Sequence, residues 1–415
     1  MIRRSFVAPA LAALTALAAP ACSSSPTGGG ETGDPAVARY AFDFTTAPGE
    51  ETHYCQYMKM PEGEGSEVLV TGYTWSWKDM HHWALYRTTS DLPADVSLTE
   101  PFDCFAPGAM KYAAPASLEL GGSAEGDQSF PEGTGFSFKP GEIVMFQAHT
   151  LNTGNADVHP HIDLSVKLGD PAKVKDRLGL IQFYDPYIYV PAHGKAQAQM
   201  RCAVPRDITV VQATTHQHTR GKGVSVFLDE PGSAPAASPF LQSTDWEHPV
   251  TDDTVMKIQK GSFIRTVCDY QGGDHDVFQG QNKQDNEMCM YVGYYYPAIP
   301  VAEDGGGFEN CVQTPVPGGV GDSYGTGDKS CADSLACIQS CSPADAPVPG
   351  DGRIDVGACW QKCLVDSCPG ASAPLNALGY CVGQKCQAEC AGGNCAACVI
   401  SKCSKEYGAC QSQGC

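Results

Sequence analysis

His216 and His218 are the residues of this chain best spaced to do chemistry together. They stand in Thr214-Thr215-His216-Gln217-His218-Thr219-Arg220-Gly221-Lys222, just after the strand-like run Ile208 to Ala213. Alternate residues of a strand share a face, so both imidazoles can reach one ion. Met288 follows seventy residues after His218 and offers a thioether. Sulfur of that kind selects a soft ion, and a His₂Met donor set points to copper passing through Cu(I).

A second histidine set lies upstream. Asp79-Met80-His81-His82-Trp83 holds an adjacent pair, and Met145-Phe146-Gln147-Ala148-His149 closes an apolar run on a single histidine. Neighbours on a regular strand face opposite ways. His81 and His82 therefore share an ion only if the backbone kinks or one ring uses its other nitrogen. Taken singly, such residues read as surface or hydrogen-bonded core histidines. Their order and surroundings change that reading.

In chain order come His81, His82, His149, His216, His218 and Met288, with Tyr54-Cys55, Glu287-Met288-Cys289 and Tyr295-Tyr296-Pro297 around them. This set resembles the type II, ascorbate-dependent copper monooxygenases, the family of dopamine β-hydroxylase and peptidylglycine α-hydroxylating monooxygenase. The likeness runs over residues 40–312 or thereabouts. It implies two coppers per chain. His81, His82 and His149 would hold an electron-transfer copper, and His216, His218 and Met288 the copper that binds O₂ beside the substrate. That second trio is the expected catalytic set, with ascorbate or an equivalent one-electron donor as reductant. The resemblance also implies three disulfides: Cys55 with Cys104, Cys202 with Cys311, and Cys268 with Cys289. The last suits its place, because strand neighbours diverge and the Met288 thioether can face the site while Cys289 bridges outward.

Two departures bear on the substrate. The peptide-amidating branch has a basic residue two positions before His-x-His and a tyrosine four positions after the Met; here these are Thr214 and Val292. A peptide ending in a free glycine carboxylate is therefore not the expected substrate. The expectation is a small organic or peptide-like molecule whose C–H bond is hydroxylated by O₂. His159-Pro160-His161 repeats the i, i+2 spacing, but Pro160 disfavours a regular strand and no family ligand corresponds. His53, His193, His248 and His275 read as ordinary histidines in polar, turn-like contexts.

The elements that must position these residues are short strands. Runs such as Glu67 to Trp77, Glu142 to His149, His161 to Leu168, Asp207 to Thr215 and Met288 to Tyr296 are rich in β-branched and aromatic residues, and Gly/Pro turns separate them. The expected fold is mainly β, with two tandem jelly-roll-like β-sandwich domains over 38–172 and 173–312. A Pro/Gly-rich linker over 313–330 follows. Residues 331–415 carry fourteen of the chain's 21 cysteines and read as a small disulfide-rich, helical module. Cys337-x₃-Cys341 and Cys359-x₃-Cys363 place cysteine pairs on helix faces that two bridges can join, and Cys386-x₃-Cys390 with Cys398-x₄-Cys403 looks like a weaker second copy. A Cys₄ zinc module is the rival reading, disfavoured by the lack of histidine after His275. The module is expected to fold on its own and to take no part in catalysis.

With 47 acidic and 27 basic residues the formal charge is −20 over 415 residues, which argues against nucleic acid as a partner. Arg3 and Arg4, the apolar run Phe6 to Ala18 and Ala19-Pro20-Ala21-Cys22 read as an export signal over 1–22. Small residues before Cys22 fit a lipoprotein of a bacterial envelope, with Cys22 lipidated; ordinary secretion is the other reading. Residues 23–37 then form a flexible tether, and any membrane contact runs through that lipid. Two other classes of function compete with the monooxygenase: a non-catalytic copper-binding surface protein, and an adhesion or matrix protein acting through the Cys-rich tail.

Overall fold

The computed structural model describes residues 37–415 except 64, 81, 89–91, 105, 107–108, 122–123, 186–187, 281–283, 300–308, 310, 312–320, 326, 342–347, 350–353, 356–357, 387–388 and 391–393. The expected signal, the tether as far as residue 36, Cys22 and His81 thus lie outside the described residues, while Val37 at the end of the expected tether already belongs to a strand. The architecture is mainly β with a small helical, disulfide-rich C-terminal part.

The first half is built from β1 (Val37–Asp43), β2 (Glu51–Lys59), β3 (Val68–Lys78), β4 (His82–Thr88), β5 (Phe102–Asp103), β6 (Ala113–Gly121), β7 (Glu125–Ser129), β8 (Thr134–Phe138), β9 (Ile143–Leu151), β10 (His161–Leu168) and β11 (Asp176–Arg177). One sheet runs β1-β10-β3-β8-β11 with β7 alongside β3, and the other runs β5-β2-β9-β4-β6. Trp83 lies between them, stacked on Phe146 at 5.2 Å and edge-on to Tyr73 at 5.5 Å. Alternation on the strands does the sorting: Trp83 points into this core, so His82 beside it must face the other way.

The second half uses β12 (Gly179–Tyr184), β13 (Tyr189–Val190), β14 (Lys195–Ala203), β15 (Ile208–His216), β16 (Gly221–Asp229), β17 (Leu241–Ser243), β18 (Met256–Ile258), β19 (Phe263–Gln271), β20 (Val277–Gln279), β21 (Asn286–Glu287), β22 (Met290–Tyr296) and β23 (Gly321–Tyr324). Its sheets are β12-β22-β15-β18 and β17-β16-β19-β14-β23, with a small β13-β20-β21 sheet at one end. The Cys202–Cys311 and Cys268–Cys289 disulfides lie in this half, and Cys55–Cys104 in the first.

Strands β12 and β22 are buried on both faces, and this joins the halves. Ile181, Phe183, Tyr291 and Tyr295 enter the core of the second sandwich. Leu180, Tyr184, Met290, Val292 and Tyr294 belong instead to the apolar cluster of the first. The Tyr73 and Tyr294 hydroxyls share a hydrogen bond of 3.2 Å inside that junction. A strand buried on both faces reads as an unbroken apolar run, which is what Met290 to Tyr296 is.

Part of the expected linker is a strand: β23 pairs with Gln199 to Cys202 of β14 and extends the second sandwich. Beyond it lie α1 (Cys331–Ser340), α2 (Ala358–Val365), α3 (Ser372–Lys385), α4 (Cys395–Lys402) and α5 (Ser404–Ser412). Ser330 caps α1 by accepting the Asp333 N–H. Bridges Cys337–Cys363 and Cys341–Cys359 join α1 to the α2 region. The supposed second copy is wired differently. Cys386 pairs with Cys398, but Cys390 pairs with Cys395 five residues on, and Cys403 reaches back to Cys381 in α3. Cys331–Cys410 fastens α5 to the start of the module, and Cys368–Cys415 fastens the last residue to the segment after α2. The module is not separate from the sandwiches in space: α2 packs on the β13-β20-β21 sheet. Lys362 lies over the Tyr189 ring, and the Gln361 side chain bonds the backbone of Gln279.

Candidate metal centre

Strand register brings three histidines into one row. His53 of β2 pairs with His149 of β9, which pairs with His82 of β4. Directly opposed residues share a face, so the three rings line up across the sheet on the side away from Trp83. One ring nitrogen from each lies within 4.8 Å of the other two.

Direction then separates the three. The Nδ1 atoms of His82 and His149 face each other at 3.2 Å, with ring planes 64° apart. Two imidazole nitrogens about 2.0–2.1 Å from one ion, at a tetrahedral angle, stand about 3.3 Å apart, so the pair fits a shared metal. His53 lies parallel to His149, 4.0 Å between centroids and 6° between planes. An imidazole binds in its own plane, and nearly parallel planes do not meet at one ion. In this arrangement His53 is a stacked wall beside the pair. The sequence reading of His53 as an ordinary histidine in a turn is corrected: it is buried on a strand, within the cluster.

His149 is oriented from behind. Its Nε2 donates to the Glu51 carboxylate at 2.9 Å, and both side chains are buried. With the proton on Nε2, the lone pair is on Nδ1, the atom that faces His82. A carboxylate behind a ligating imidazole fixes both ring direction and tautomer. Asp79, in the left-handed region at φ 57°, turns the chain just before the adjacent pair, and the buried Thr150 hydroxyl donates to its carbonyl.

The second set is organised by Glu287. Its buried carboxylate accepts the backbone N–H of His218 at 2.9 Å and of Arg220 at 2.6 Å, holding the turn that follows β15. Burial pushes this carboxyl up to about 7, against the pull of those donors. His216 is the last residue of β15, and His218 lies in the turn beyond it, so the strand ends between them. Their rings stand 5.0 Å apart at 86°. His218 Nδ1 donates to the Asn286 carbonyl at 3.0 Å, which leaves the lone pair on Nε2. The turn is tight: a Cβ on Gly221 would come within 2.8 Å of the Gln217 Cβ. Met288 is buried, its carbonyl bonded by the Tyr270 hydroxyl, two residues before Met290, the cross-strand partner of His216.

The two sets meet. His82 lies 5.9 Å from His216 between ring centroids, across the junction of the two sandwiches. His53, His149, His82, His216 and His218 therefore form one chain of neighbouring rings. Thr214 and Val292, the two departures from the peptide-amidating pattern, are cross-strand partners beside them, and the Thr214 hydroxyl donates to Val250 O.

The other histidines stand apart from this cluster. His161 binds Asp43 and Asp163 at the surface, and these carboxylates raise its pKa. His159 contacts Thr45, His248 contacts Asp245, and His275 contacts Asp274.

Residues 178–313 match the sequence profile of the copper type II ascorbate-dependent monooxygenase C-terminal domain. That segment holds His216, His218, Met288 and the Cys202–Cys311 and Cys268–Cys289 bridges. No curated protein matches the chain. Among solved structures, the triple jelly-roll turret protein of an archaeal virus has 9% identity and a TM-score of 0.16, covering 61% of this chain and 58% of its own. The present chain thus spans less than two thirds of that relative. A structure of the infectious bursal disease virus Gt strain has 9% identity and a TM-score of 0.16, over 63% of this chain and 72% of that one. Scores this low establish no shared architecture.

Proposed function

We propose that this protein is a copper-dependent monooxygenase that hydroxylates a C–H bond of a small organic or peptide-like substrate, using O₂ and a one-electron donor of the ascorbate type. The observation that carries this reading is the meeting of two histidine sets at the sandwich junction, each with ring tautomers fixed by hydrogen bonds. His82 and His149, through their Nδ1 atoms, would hold one copper together with His81. His216, His218 and Met288 would hold the other, His218 through Nε2. Bound copper supplies the one-electron steps and the oxygen chemistry that no side chain here can perform.

The residues supply placement. Glu51 keeps the His149 lone pair turned toward His82. Glu287 and Asn286 keep His218 turned the other way, toward Nε2 donation. The neighbouring rings of His82 and His216, 5.9 Å apart between centroids, would make the path between the sets short. Thr214 and Val292 offer no cation for a substrate carboxylate. The ten disulfides among the described residues fit an exported protein, and an anchor at Cys22 would hold it at a cell envelope. No helix among the described residues is long and apolar enough to cross a membrane.

Oxygen uptake tests the reading. Copper-loaded protein should consume O₂ when ascorbate and a substrate pool are present, and a His216→Ala variant should not. Copper binding without any such uptake, across a broad substrate screen, would favour the copper-binding surface protein instead.

A further inference from the structure

From the contact between α2 and the small sheet we infer that the Cys-rich tail is a brace for the second histidine set, acting through Gln361. This rests on the metal-site reading above. The Gln361 side chain is almost fully buried at 1% exposure. Its Oε1 accepts the Gln279 backbone N–H at 2.5 Å, and its Nε2 donates to the Gln279 carbonyl at 2.9 Å. Strand β13 pairs with Val277 and Phe278, and at the next residue Gln361 takes over that pairing. A side-chain amide has one donor and one acceptor, so it can stand in for one more residue of a strand. Long polar side chains are seldom buried without such a purpose, since an unmet amide there is costly.

The path onward is short. Gln279 is the register partner of Glu287 in the β20–β21 pair. Glu287 accepts from the His218 and Arg220 backbone, and Asn286 accepts from the His218 ring. Met288 is the next residue. The tail side is equally firm: Lys362 sits over Tyr189 at 5.0 Å, Tyr189 stacks on Phe278 at 5.2 Å, and Cys363 beside them is bridged to Cys337. Gln361 is thus a positioning residue, tying a cross-linked module to the strand that orients His218.

The test uses the full chain with Gln361→Met, which keeps length and removes both bonds, and Gln361→Glu, which keeps only the acceptor. Amide hydrogen exchange of the metal-free protein reads the brace without copper. In Gln361→Met the His218 and Arg220 amides should exchange at least about tenfold faster, with β14 and β19 amides unchanged; Gln361→Glu should lie between. Copper affinity of the second set, titrated in a His149→Ala background, should fall roughly tenfold, at the low end for loss of an outer-shell partner. Faster exchange confined to Gln279 and Gly280 would overturn the inference, as would loosening spread through β14 and β19. If the unaltered protein takes up no copper, the functional reading fails, while the amide measurement still decides the brace.

Discussion

At the scale of single residues, hydrogen bonds decide which nitrogen of each ring is the donor. His149 gives its Nε2 proton to Glu51 and His218 its Nδ1 proton to Asn286, so the two sets present opposite nitrogens. Replacing Glu51 by Gln should weaken copper at the first set by about 10–100-fold, measured against a competing chelator, and leave the second set unchanged. Equal weakening at both would mean that Glu51 only supports the fold. Met288→Leu nearly conserves volume and should cost less than about 1.5 kcal/mol of stability. The copper–sulfur distance in X-ray absorption should vanish with it; a retained sulfur signal would remove Met288 from the ligand set. The i, i+2 spacing singled out His216 and His218, although the strand it relied on ends at His216 and the backbone held by Glu287 sets the second ring; chain order singled out His82 and His149. His53 and Glu51 were not legible. Their roles depend on the β2–β9 register, which brings residues about a hundred positions apart into contact. A polar stretch, Glu51-Thr52-His53, gives no local sign of burial.

At the scale of elements, strands were readable wherever one face meets water. Burial alternates along β10, β14 and β19, as period-two patterning requires. The junction was harder to foresee, because an apolar run such as Met290 to Tyr296 does not say which face meets which partner. Tyr294, fully inside it, should cost about 3–5 kcal/mol when cut to Ala, read as a shift in denaturant midpoint at unchanged slope. A loss below about 1 kcal/mol would mean that the halves barely depend on this contact. Asp229 tests a second point. Burial raises its carboxyl, but hydrogen bonds and charge from Arg265 and Arg201, with the Ala236 N–H, outweigh that and hold it below the usual range. Its contribution is therefore present above the unfolded carboxylate value of about 3.9 and lost as pH falls through the lower folded value. Asp229→Asn should flatten that part of the acid-side decline in unfolding midpoint; an unchanged decline would assign it to other carboxylates.

At the scale of the whole molecule, cysteine density announced a cross-linked tail, and helical spacing foretold the Cys337, Cys341, Cys359, Cys363 quartet. The remaining connectivity was beyond sequence reading, since several pairings satisfy the same spacings. Nor did composition reveal that the tail docks on the sheet leading to Met288, through the buried Gln361 and through Lys362 over the Tyr189 ring. The central claim concerns what the junction of the two sandwiches holds. Metal analysis of copper-loaded protein tests it most directly. The account predicts about two equivalents of copper per chain, falling to about one in a His216→Ala, His218→Ala double variant that remains folded. A single equivalent in the unaltered protein, or zinc retained in place of copper, would contradict it.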